Sequence, residues 1–225
     1  MKHMVKSNLY LIFWADKYFG PVVLAVLLAP VIILQGHFSA YAIGLPVSVY
    51  FALLKLNSTV MSGKFERINA AVPVEKDILV TSRFITAAII CDTFTLAAIC
   101  VSVWANFKKV IYDSTKVDLA FRKIIVEIHT PVSGIIAGLI FGMLLTVIIA
   151  SAYLYFWSKF EHDRYNLYFT MSVLIIVFAI KPLLEGLSDA GVSMIWVNLI
   201  MLFIAVPAVW VSLSSSIQVF GYREF

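Results

Sequence analysis

Asp92 is the residue with the sharpest chemical claim, because it interrupts an otherwise apolar run, FITAAIICDTFTLAAICVSVW at 84–104. A carboxylate at that depth in a bilayer costs about 2.5–3.5 kcal/mol on insertion scales. It is therefore expected to face protein or water rather than lipid. It would line a polar path or pair with a group on another helix or subunit. Alternatively, it reaches water from the nearer end of the span, or hydrogen-bonds to Thr93 or Thr95. The other titratable groups form no constellation. His3, His37, His129 and His162 are scattered without metal-ligand spacing. The tightest cluster, Glu161-His162-Asp163, reads as a solvated loop rather than a metal site. Gly63-Lys64 is followed by Phe65 and lacks the upstream glycine of a phosphate-cradling loop, so no ATP site of that kind is expected here. There is no series of Asp, Glu and His such as a proton-driven pump uses. The expectation is a non-catalytic chain with no metal and no cofactor of its own.

These residues must be held by membrane helices. Of 225 residues, 62% are hydrophobic and 13% charged, with a mean hydropathy of +0.96; soluble domains run near about 25% charged. No core of this size absorbs so much apolar surface, so the bilayer must be the solvent. Barrel strands alternate with period two, whereas the apolar runs here are continuous and about 18–25 residues long, which selects helices. The fold class is all-α, a polytopic membrane protein with a single transmembrane domain over 1–225. The net charge of +4 is spread over the loops and implies no nucleic acid. Cys91 and Cys100 fall in one span, about 13 Å apart along a helix axis, too far for a disulfide.

Taken in order, residues 1–18 mix Lys2, Lys6 and Lys17 with Leu9, Leu11, Ile12, Phe13 and Trp14. They predict an interfacial helix on the membrane, or else an extension of the first span. Six spans are expected at about 19–34, 38–56, 84–104, 132–157, 166–184 and 192–213. Pro21, Pro30, Pro46 and Pro207 lie in these stretches, and Pro30 is expected to kink the first. Val117, Phe121, Ile124, Ile125 and Ile128 recur at helical spacing, which predicts an amphipathic helix within 105–130. Gly134, Gly138 and Gly142 occupy one face of the fourth span and predict close helix packing. Asn198 and the 212–216 serine run are candidate interhelical hydrogen-bond donors.

Counting Lys and Arg with the N-terminus in the cytoplasm places eleven inside and six outside, which favours both termini inside. The stretch 62–83, SGKFERINAAVPVEKDILVTSR, is then the cytoplasmic loop richest in charge. It reads as the surface where a soluble partner docks.

Three segments resemble the ABC-2 type permease family, the membrane subunits of bacterial ABC exporters. RINAAVPVEKDILVTSRFI at 67–85 is similar to a Leu-Pro-Val/Ile-Ser-Arg-x-x-Ile-Val pattern before the third span, with Val72 for Leu and Glu75-Lys76 for Ser-Arg. YFWSKFEHDRYNLYF at 155–169 is similar to a Phe-Gly-x-x-Lys-x-Arg stretch, with Glu161 in place of the glycine. The ending SLSSSIQVFGYREF resembles a Ser-x-x-x-Ser-x-x-x-Tyr-x-x-Arg-Glu-Phe tail. The resemblance implies a dimer with a second permease copy or paralogue, and separate ABC ATPase subunits on the cytoplasmic face. ATP and Mg would be bound by those ATPase subunits. A coupling helix would contact them through Lys64, Phe65, Glu66, Arg67, Ile68, Asn69, Val74, Glu75, Lys76 and Asp77. It also implies a bacterial cell membrane and a cargo of amphipathic or antimicrobial peptides. Two other readings stay open: an ATPase-independent transporter or membrane enzyme using Asp92, and a membrane-embedded immunity or binding protein.

Overall fold

A computed structural model describes residues 1–13, 43–60, 75–109, 132–159 and 162–221, and these are helical with no strand among them. The helices are α1 Lys2–Phe13, α2 Leu45–Val60, α3 Lys76–Lys109, α4 Val132–Lys159, α5 His162–Asp189 and α6 Met194–Gly221. Among the described residues, three stretches are long and apolar enough to cross a membrane: Asp77–Val101, Ile136–Lys159 and Met194–Val219. Leu45–Asn57 in α2 is apolar but shorter. The expected first span at 19–34 and the amphipathic pattern at 117–128 lie outside the described residues.

The helices overrun the apolar boundaries read from the sequence. α3 begins eight residues before the expected 84 and continues to Lys109, so 105–109 belongs to it rather than to a separate surface helix. Its start is fixed by local hydrogen bonding. The Glu75 carbonyl accepts from Leu79 N at 3.2 Å, and an Asp77 carboxylate oxygen accepts from Ile78 N at 2.8 Å. An acid in the first turn also complements the helix dipole. Hydropathy marks where lipid begins, whereas backbone hydrogen bonds stop only where a cap stops them. The expected 57–82 loop is shortened for the same reason, since α2 runs to Val60. The expected 158–165 loop shrinks likewise, with α4 reaching Lys159 and α5 starting at His162.

The α5–α6 connection shows such a stop. Gly191 has φ +73°, a left-handed conformation that costs glycine no Cβ clash. Val192 N donates to the Leu187 carbonyl at 2.9 Å and Ala190 N to that of Gly186 at 3.0 Å, closing the end of α5. Ser193 then opens α6, its carbonyl accepting from Trp196 N at 3.0 Å. Glu185 and Asp189, expected in this loop, are residues of α5.

α4 is the central helix. Asn198 Nδ2 donates to the Ala137 carbonyl at 3.1 Å, and Ser212 Oγ donates to the Ser151 carbonyl. Both pairs have the same separation of 61 positions, so α4 and α6 run parallel and in register over about 21 Å. α4 also packs against α2, α3 and α5. Tyr153 is the hub of an aromatic cluster, with ring centroids 5.6 Å from Tyr50 and 5.4 Å from Phe169, both edge to face.

Polar side chains are buried beside the apolar core, and large apolar ones face outward. Ser48, Asn57, Ser82, Arg83, Thr86, Thr146 and Ser151 are buried, while Phe203 is 78% and Trp210 74% exposed. This is the arrangement that an apolar solvent selects.

Candidate functional site

Two arrangements concern function: a polar cluster at the end of the bundle from which 61–74 departs, and the outward face of α3.

The cluster is assembled from helix ends. α2 brings Asn57 to within a turn of its last residue, and Asn57 Nδ2 donates to Tyr153 Oη of α4 at 2.9 Å. α3 brings Arg83, two turns from its start, with the guanidinium carbon 4.2 Å from the centroid of the Trp157 ring. Arg83 is 6% and Trp157 1% exposed, so this cation–π contact is shielded from solvent, where such contacts are strongest. Thr86, one turn on from Arg83, is tied to α1 by Asn8 Nδ2 at 3.3 Å. Tyr50 Oη and Thr170 Oγ1, 2.5 Å apart, link α2 to α5. Both flanks of the charged 61–74 segment are thus fastened to the last two turns of α4. From the sequence Arg83 is expected only as a cytoplasmic cation. The available signal was an arginine immediately before the apolar run, matched by a tryptophan at the corresponding end of another span.

Of the predicted docking residues, Lys64, Phe65, Glu66, Arg67, Ile68, Asn69 and Val74 lie outside the described residues. Glu75 and Asp77 are exposed at the N-terminus of α3, and Lys76 is its first residue.

Asp92 lies on the opposite side of α3 from Arg83. Nine positions separate them, about two and a half turns. Its carboxylate is exposed on an apolar stripe with Ile89, Leu96, Ile99 and Val103. No group on another described helix pairs with it. Nor do its threonine neighbours engage it. Thr93 Oγ1 donates to the Ile89 carbonyl and Thr95 Oγ1 to that of Cys91, each at 2.7 Å. Among the described residues no hydrogen bond or ion pair holds the Asp92 side chain. Cys91 is buried and Cys100 exposed, both as free thiols.

Gly138 and Gly142 are buried on α4, and Gly134 lies in its first turn. Their neighbourhood is where Asn198 reaches the α4 backbone, a side-chain-to-carbonyl contact that requires close helix approach. Ser214 hydrogen-bonds its own helix at Trp210, whereas Ser212 makes the interhelical bond expected of the serine run. No group of three metal-binding side chains occurs among the described residues.

No family model, curated protein or solved structure matches the chain.

Proposed function

We propose that this chain is the permease subunit of an ATP-driven exporter of the ABC-2 type. It crosses the bacterial cell membrane six times with both termini cytoplasmic, and it pairs with a second permease copy or paralogue. Separate ATPase subunits dock on the 64–77 stretch and carry the ATP and Mg. The cargo class that suits a large apolar interior with few fixed charges is an amphipathic peptide.

The observation that carries this reading is the double fastening of the charged segment to α4, through Asn57–Tyr153 on one flank and Arg83–Trp157 on the other. A pull on a segment anchored in this way would move α2, α3 and α4 together rather than unravel a loop. That is what coupling to an external motor requires, because a conformational step needs an element both sites can bias.

The test is a mild-detergent pull-down of the tagged chain from cells expressing its neighbouring genes, with ATP hydrolysis assayed on the eluate. An ATPase should co-elute with the parent chain and be lost with Phe65→Ala/Glu66→Ala. Co-elution and export unaffected by those changes would sink the docking assignment. An eluate with no ATPase would sink the exporter reading itself.

A further inference from the structure

The outward face of α3 carries a carboxylate within an apolar stripe. Ile89, Leu96, Ile99 and Val103 are ordinary lipid-facing residues, and they extend over about 21 Å of helix. Asp92 lies among them. A carboxylate facing hydrocarbon is unfavourable for as long as it stays uncovered. The nearest buried cation on its own helix, Arg83, points the other way and is covered by Trp157.

We propose that this face is the seat of a transmembrane helix from a different protein, one carrying a Lys or Arg at the depth of Asp92. Charge complementarity selects this occupant. A second copy applying the same face in a two-fold dimer would set carboxylate against carboxylate. A transient cargo would leave the acid uncovered between transport cycles, whereas a resident helix covers it throughout. The apolar residues around Asp92 supply the packing surface, and the acid supplies selectivity, since charges within a membrane pair with one another. The inference does not depend on the exporter reading, because any membrane protein with this face has the same requirement.

The full-length chain, labelled outside α3, is reconstituted in phosphatidylcholine vesicles with labelled polyleucine transmembrane peptides whose central residue is Lys, Leu or Asp. Association is read by energy transfer. The Lys peptide should bind about tenfold better than the Leu peptide, the scale expected of one interhelical polar pair, and Asp92→Asn should remove that preference. In Asp92→Lys the preference should switch to the Asp peptide, a gain that a folding defect cannot imitate. Equal binding of Lys and Leu peptides, or a Lys preference that survives Asp92→Asn, overturns the proposal. Cys100, exposed on the same side two turns beyond Asp92, tests the competing occupant. Oxidative cross-linking of native membranes into a Cys100-linked homodimer, absent in Cys100→Ser, would assign the face to a second copy and also overturn it.

Discussion

α4 and α6 are close to equally apolar and lie parallel in one register, yet half of the α4 span is buried and only about a tenth of the α6 span. Hydropathy therefore records that a helix must leave water, not what it meets afterwards. What separates the two is the placement of small and polar residues. α4 has Gly138, Gly142, Thr146, Ser151 and Ser158 on its buried sides. α6 has one such stripe, with Asn198, Ser212 and Ser216 facing inward, while Ile195, Phe203 and Trp210 face out. In hydrocarbon, apolar side chains gain little by choosing protein over lipid, so polar and small residues decide which side packs.

The widest test of this contrast pairs one tryptophan from each helix. Trp157 is 1% exposed and Trp210 74% exposed. Trp157→Ala should destabilise the fold by about 3–5 kcal/mol, as expected for a large core truncation. Trp210→Ala should cost under about 0.5 kcal/mol, as at an exposed position. Unfolding by added SDS in mixed micelles measures both. Equal losses would mean that α6 is as deeply packed as α4 in the membrane, and the contrast would fail.

Much of this organisation was legible beforehand. The ranges expected for the third, fourth and sixth spans fall within, or nearly within, α3, α4 and α6, because long apolar runs admit only a helix in lipid, whereas the range expected for the fifth lies in a helix, α5, that is not among the three membrane-crossing candidates. Asn198 and Ser212 were expected to bond between helices, and they do. The helix ends were not legible, because caps such as Glu75 and Ser193 act through backbone hydrogen bonds that apolarity does not report. The facing of Asp92 was not legible for a related reason. Depth in a span follows from position, but direction depends on the partners of the opposite face, here Ile90, Phe94 and Ala98. Arg83 was hidden in plain view. Positioned at the edge of a span, it looks like a surface cation until Trp157 from a helix about seventy residues away closes over it.

A middle-sized effect follows from that closure. Arg83→Gln removes the charge over Trp157 while keeping much of the side-chain length. The contact is desolvated, so about 2 kcal/mol should be lost, again read by SDS unfolding. Arg83→Lys should recover only part of it, since an ammonium cannot stack as the planar guanidinium does. Full recovery by Lys would show that charge alone matters there and that the stacking on Trp157 is incidental.

The smallest effects probe the α4–α6 register itself. Asn198→Leu and Ser212→Ala each delete one side-chain bond to an α4 carbonyl. Measured interhelical hydrogen bonds in membranes average about 0.6 kcal/mol, so each variant should lose about that much. The two sites are about 21 Å apart along the helix and share no partner, so their losses should add. Additivity would mean that the helices are held independently at two levels and that neither bond sets the register alone. A double variant losing markedly more than the sum would mean that either bond suffices to hold the register and that α6 slides once both are gone. This is the behaviour expected of a helix with one narrow polar stripe and an otherwise featureless apolar surface, and α4, held from several sides, should not show it.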